Sequence, residues 1–418
     1  MLVLVAGCAA SLVGCSGGQK TAPEPIAAWP QNDQANTSVT MAAVPPAAPV
    51  ATESTGNWNS TPTQNSENSG DTQEGFDGSS STRVTFAEEG ADFDPSVSQD
   101  GKWLVFASTQ HRKTSDIYIK RTDSRVVTQL TQDPADDVTP TLSPDGKRVA
   151  FASNRGGNWD LFVMPVQGGR ALRLTSEPSD ELMPSWSPDG KKIVYNRVNG
   201  GKHEMWLLNL NAPATPTFIG YGHMPRWCPK AGTGATGGDL IAFQQPRDRG
   251  NRTISIWTVE YKNGQTSSQT EVASSTAAAY INPAWSPDGE WIAFAEVPVN
   301  VGATAAAGRA DGGIQKSALW MVTAQGEIKT KLTDGTGLAL NPSWSGGYGL
   351  FFVSNRSGHE NVWSVDLRET IAAAKETFGN DGNRTAKANE NAAEIGAETP
   401  MNSGEEAVAN VVTEPEPQ

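Results

Sequence analysis

Four histidines, a series of paired carboxylates and a series of arginines are the side chains in this 418-residue sequence suited to metal binding, acid–base work or anion recognition. Such chemistry needs convergence, because metal ligands must all lie about 2 Å from one ion. His111, His203 and His359 fall in polar loops expected between the second and third strands of successive repeats, on the same face as His223. Strands about 4.8 Å apart put those loops roughly 10 Å outward from the innermost strand. The three are therefore read as solvated loop residues in different repeats, and His223, beside the rim of a central channel, is the one histidine placed to act as a ligand. No catalytic residue and no metal site is assigned. Acids gather in the connections that lead to the first strand of a repeat: Asp92 and Asp94, Asp136 and Asp137, Asp180 and Glu181. They suit turn capping, and at a channel mouth they could also hold Ca²⁺ or receive a basic partner; no other cofactor is implied. Arg112, Arg155, Arg197, Arg247 and Arg356 follow the second strand of their repeats. They are expected to pair with acids of their own loops, with an anion-binding rim as the alternative.

Two stretches match chemical motifs in spelling and lose them in context. "GTGATG" at 232–237 has the glycine spacing of a dinucleotide fingerprint, but it stands between two expected strands with no helix after it, so it reads as a glycine-rich turn. "GCSGG" at 14–18 has the form of a nucleophile elbow, yet no α/β-hydrolase pattern follows.

The elements that must position these residues come from a repeat. Pro95, Pro140, Pro184, Pro225, Pro283 and Pro342 occupy equivalent places, 41 to 59 residues apart. After four of them a turn follows, "SQDG" once and "SPDG" three times, with Asp100, Asp145, Asp189 and Asp288. Asp bonds its own backbone there and Gly accepts positive φ, so each turn joins a hairpin. A strand ending in an aromatic comes next (Phe106, Phe151, Tyr195, Phe243, Phe294, Phe352), and then a third strand with its own aromatic (Tyr118, Phe162, Trp206, Trp257, Trp320, Trp363). Leu130-Thr131, Leu174-Thr175 and Leu332-Thr333 end a fourth strand in the first, second and fifth units. Four short antiparallel strands per unit of about 45 residues define a propeller blade. The fold class is therefore all-β, a six-bladed β-propeller. The sixth unit lacks a fourth strand, and "TRVTF" at 82–86 supplies one from the N-terminal side, with Val84-Thr85 in the Leu-Thr position. Closing the ring in this way removes two sheet edges.

The expected organisation is 1–15 as a lipoprotein signal peptide, 16–80 as a disordered tether, 81–368 as the propeller and 369–418 as an acidic disordered tail with a helical start near "ETIAAAKETF". Leu12-Val13-Gly14-Cys15 resembles a lipobox after an apolar run too short to span a bilayer, which makes Cys15 the lipidation site. Cys228 is then the one thiol left outside the signal region, so no internal disulfide is expected. A tether of this length spans about 45 Å as a flexible coil. The tail holds ten acidic and three basic residues, about half of the net charge of −14. That charge opposes binding to nucleic acid and to anionic lipid, so the membrane is approached only through the anchor.

The repeats "PTLSPDGKRVAFASNRGGNWDLFVMPVQGGRALRLT", "PSWSPDGKKIVYNR" and "PAWSPDGEWIAFAE" resemble those of TolB-type β-propellers over about 83–368. The fourth and sixth units depart from the pattern, and the fifth carries an insertion over 297–316. The resemblance implies a periplasm-facing envelope module with a Tol–Pal-like role, which binds a protein such as a Pal-like partner or a cell-wall polymer without catalysis. The α/β domain that precedes the propeller in TolB-type proteins is not expected in this chain. A carbohydrate-active enzyme acting at the channel, like the oligogalacturonate lyases that share this repeat type, is the alternative.

Overall fold

The computed structural model describes residues 81–213, 215–246, 253–267, 269–298, 314 and 316–376. These form six antiparallel sheets in sequence order around a central channel. Each sheet is a blade, with inner strands Asp92–Val97, Asp137–Leu142, Asp180–Trp186, His223–Trp227, Ala278–Trp285 and Leu340–Trp344. Blades 3 and 4 also have outer strands, Thr217–Tyr221 and Thr270–Ala273, although neither carries the Leu-Thr ending.

Second strands such as "RVAFAS" are buried at nearly every residue rather than at alternate ones. The reason is stacking. Six apolar clusters occur, one between each pair of neighbouring blades, so a middle strand has a blade against both of its faces. The second-strand aromatics Phe106, Phe151, Tyr195, Phe243, Phe294 and Phe352 are all almost completely buried in these layers.

The ring closes where the sequence places the closure. Thr82–Arg83 pairs antiparallel with the third strand of blade 6, Thr82 opposite Ser364 and Arg83 opposite Trp363. The Leu-Thr signature now has a physical cause. The hydroxyls of Thr131, Thr175 and Thr333 each accept the third-strand N–H of Ile117, Leu161 or Leu319 at 2.9 Å. Thr85 accepts from Val362 at 2.9 Å in the same way, which makes the upstream segment a true equivalent of an outer strand.

The chain does not leave the domain at 368. It continues as a helix over 368–376, and Ile371 and Ala374 are buried beside Trp291 and Trp344 in the layer between blades 5 and 6. The expected helical start is thus a packed element, and the expected tail is correspondingly shorter.

Candidate functional site: the central channel

Each inner strand is interrupted at the same place. The residue before the proline has positive φ in all six blades: Asp94 (50°), Thr139 (51°), Met183 (58°), Met224 (53°), Asn282 (58°) and Asn341 (50°). A register shift accompanies each, as between Phe93 and Ser96 or Leu340 and Ser343. Proline disfavours the helical region for its predecessor, and a bulge there re-aims the side chain. The result is a ring of six bulges about the channel.

Asp94, Thr139, Arg226 and Asn341 line a channel cavity of about 170 Å³. Asn341 Nδ2 donates to Asp94 Oδ1 at 2.5 Å, and the backbone N–H of Thr139 donates to Asp94 Oδ2 at 3.2 Å. Removal from water pushes the Asp94 carboxyl up to about 6, against the opposing pull of those donors and of Arg226. Desolvation likewise lowers Arg226, with Asp94 opposing. Thr139 Oγ1, Asn282 Oδ1 and Asn341 Oδ1 are buried oxygens without a hydrogen-bond partner in the protein. One carboxylate, neutral oxygens and one guanidinium can accept from a donor-rich group and donate to an anionic one. Of these residues only Asp94 was expected from the sequence. The signal for the others was available: each stands next to an aligned proline.

The remaining expected residues serve the joints between blades. Asp136 accepts the N–H of Ser115 at 2.9 Å, and Asp180 accepts that of Trp159 at 3.1 Å, so each acid ties its blade to the preceding one. Asp137 is fully buried and takes Arg155 at 2.9 Å. Glu181, also fully buried, takes Arg197 at 3.3 Å and the Ser179 hydroxyl at 2.7 Å; burial pushes its carboxyl up to about 7. Asp92 is 1 % exposed, and desolvation raises it as well. Among the described residues no three His, Cys, Asp or Glu side chains gather as metal ligands. Arg112 donates to the carbonyl of Gln132 at 2.7 Å, and Arg356 to the Ser81 hydroxyl at 2.6 Å. The recurring arginines also stack: Arg155 lies 4.6 Å from the Phe162 ring centre, Arg197 4.2 Å from that of Trp206 and Arg356 5.0 Å from that of Trp363. Arg247 and Cys15 lie outside the described residues.

One expectation for the histidines is corrected. His203 lies within the third strand of blade 3, Lys202–Asn209, rather than in a loop, and its ring meets His223 edge to face at 4.5 Å. The reason is the length of this hairpin: strands Lys192–Asn199 and Lys202–Asn209 run to a two-residue turn, which carries His203 to the start of the blade 4 inner strand. The N–H of Asn282 donates to Gln244 Oε1 at 2.8 Å, so Gln244 Nε2, 3.0 Å away, is the donor to His223 Nδ1. That fixes the neutral tautomer of His223 with its proton on Nε2. Desolvation lowers His223 to about 3, helped by His203 and Arg226, and lowers His203 too. The pair is neutral and can offer imidazole to a ligand at the channel rim.

The glycine-rich "GTGATG" turn already holds an anion. Thr236 N–H and Gly238 N–H donate to Glu260 at 3.1 and 2.6 Å, and the Thr236 hydroxyl donates at 2.7 Å. A Cβ at Gly234 would lie 2.3 Å from the Glu260 carboxyl carbon, so these glycines serve an internal carboxylate rather than a pyrophosphate.

Comparison with known proteins agrees with this architecture. Residues 77–232 match the family described as TolB beta propeller domain. A protein TolB homolog of Chlorobium luteolum is 30 % identical over 83 residues, a match that spans 20 % of this chain and 19 % of that relative. Among solved structures, one assigned to TolB from Agrobacterium tumefaciens is 20 % identical, covers 66 % of this chain and 90 % of its own, and has a TM-score of 0.49. An oligogalacturonate lyase from Vibrio parahaemolyticus is 14 % identical, covers 69 % and 94 %, and has a TM-score of 0.46. Over 77–232 the six-bladed ring described here matches the family described as TolB beta propeller domain.

Proposed function

We propose that this protein is a binding module of the bacterial cell envelope, which presents the channel and the surrounding loop face to a protein or cell-wall partner. The observation that carries the reading is the composition of the channel: one carboxylate, Asp94, and one guanidinium, Arg226, stand among neutral oxygens on a rigid six-bladed frame. That set recognises polar groups of both signs, which suits recognition without turnover. Cys15 as a lipidated anchor, a periplasm-facing position at the outer membrane and a Tol–Pal-like role with a Pal-like partner belong to the same proposal. They rest on the lipobox resemblance and on the name of the Chlorobium relative.

A carbohydrate-active role is the second reading, and the neutral His203–His223 pair at the rim is what favours it. A crosslinking pull-down from envelope membranes, comparing the parent chain with Arg226→Ala, separates the two. The binding reading expects one or a few envelope proteins, or intact cell-wall polymer, lost on substitution. Recovery of cleaved oligosaccharides alone would overturn it. For the anchor, palmitate labelling of the precursor is expected to disappear in Cys15→Ala.

A further inference from the structure

The seam at which the ring closes has a surface unlike the rest of the molecule. Phe86, just past the closing strand, is 45 % exposed. Three cations surround its ring: Arg83 at 5.0 Å, Arg125 at 4.9 Å and Lys120 at 5.9 Å from the centre. They come from both ends of the chain's circuit, since Arg83 belongs to blade 6 and Lys120 and Arg125 to blade 1. Their hydrogen bonds go to neutral groups. Arg83 donates to the carbonyls of Thr85 and Ala87 at 2.8 and 3.1 Å, and Lys120 to that of Val84. Among the described residues none of the three forms an ion pair, whereas Arg155, Arg173, Arg197, Arg368 and Lys375 all do. Asp92, which acts on Lys120 and Arg83, is buried beneath the surface.

Three like charges on one exposed aromatic ring repel one another and attract an anion. Apolar surface adjoins them: Val126 is 74 % exposed, and Val127, 39 % exposed, lies directly opposite Lys120 on the outermost strand of blade 1. A matching segment exists in this chain. Residues 377–418 contain eight acidic and two basic residues, and "EEAVANVVTEPE" at 405–416 sets an apolar run between two pairs of glutamates. The helix over 368–376 holds the near end of that segment, with Lys375 bonded to Glu290 at 2.6 Å. A flexible coil as long as the stretch between 376 and 405 would span about 30 Å root-mean-square. We propose that the acidic segment 405–416 docks on the seam between blades 6 and 1, its glutamates on Arg83 and Arg125 above the buried Lys120 and its apolar run on Phe86 and Val127. Docking bridges the first and last blades, and so couples occupancy of the seam to closure of the ring. Because the segment is tethered, its local concentration is high and a weak contact suffices.

Photo-crosslinking in the full chain tests this, with p-benzoylphenylalanine in place of Phe86 and mass spectrometry to map the adducts. Intramolecular adducts to 400–418 are expected, falling several-fold when salt is raised from about 0.05 M to about 0.5 M, as screening of exposed charges requires. Arg125→Glu should lower the yield at least about five-fold while circular dichroism and melting temperature stay unchanged, because the exposed Arg125 side chain touches the Phe86 ring and solvent. Adding Glu405→Arg and Glu406→Arg to Arg125→Glu should restore the yield. Adducts confined to the blades, a yield indifferent to Arg125→Glu, or preferential adducts to a second copy or to added vesicles of anionic lipid would each overturn the proposal.

Discussion

At the scale of single residues, the six positive-φ positions carry different costs. Asn and Asp enter the left-handed region readily, whereas a β-branched residue does so only under constraint. Thr139 is the β-branched one, so Thr139→Asn is expected to stabilise the protein by about 1 kcal/mol, read as a rise in denaturation midpoint at unchanged slope. Asp94 gives a pH signature. Its native value of about 6 lies above its ordinary 3.8, so the folded state holds the proton more tightly. The stability this contributes is present below about pH 4 and lost as pH rises through 6. A shift of that size corresponds to at most about 3 kcal/mol, and the access Asp94 keeps to the channel reduces it to roughly 2. Urea titrations from pH 4 to 7 should show Asp94→Asn flattening that fall. The neutral histidines act in the opposite sense. Both lie below their ordinary 6.5, so they favour the folded state above that pH and cost stability as acid charges them. Replacing His223 by Gln should therefore lessen acid sensitivity between about pH 6 and 3, which the same titrations extended downward would reveal.

At the scale of elements, the outer strands are held by a threonine hydroxyl as much as by their ladder. Thr85 links the closing strand to Val362 N–H and stands 3.3 Å from Asn361 Oδ1. Thr85→Val leaves the Val362 N–H buried without its partner, and a loss of about 1–3 kcal/mol is expected in chemical denaturation. The "SPDG" turns hold together through their own side chains. The Ser143 hydroxyl donates to Asp145 at 2.5 Å, Asp145 accepts Lys147 N–H at 3.1 Å, and Ser143 Oγ accepts Arg148 N–H at 2.9 Å. "SQDG" repeats the arrangement with Gln99 in place of proline, so Ser, Asp and Gly are the required residues. One of these turns also closes over the thiol of Cys228, the one cysteine among the described residues. Gly289 has φ of 71°, and a Cβ there would lie 2.7 Å from Cys228 Sγ.

At the scale of the whole molecule, the ring is stabilised by six interblade layers, and the layer between blades 6 and 1 is the smallest. Its closing strand makes only two paired positions, Thr82 with Ser364 and Arg83 with Trp363, supplemented by Val84 N–H to Val362 at 2.8 Å. Deleting 82–86 removes that ladder, buries nothing in its place and opens two edges. A fall in melting temperature of several degrees or more is expected by calorimetry, and an unchanged transition would contradict closure through this strand. Tryptophans add ties elsewhere: Trp186, Trp285 and Trp344 each donate Nε1 to a carbonyl of the preceding inner strand, at 3.1, 2.9 and 3.1 Å.

The sequence by itself determined the blade count, the turns and the closing strand. Those rest on local chemistry that repeats: a proline, a Ser-x-Asp-Gly turn and a Leu-Thr or Val-Thr ending, each of which shapes the backbone within a few residues of itself. It also indicated Asp94 and His223, which flank aligned prolines. Only the tertiary structure decided what the channel contains. Asp94 meets Asn341 across 247 residues, and His203 meets His223 between two blades, pairings that no periodicity encodes. The outer strands of blades 3 and 4 were hidden for a related reason. Where Leu-Thr is absent, Ile219 and Val272 are held by burial against a neighbouring blade, and such burial exists only once the ring has formed.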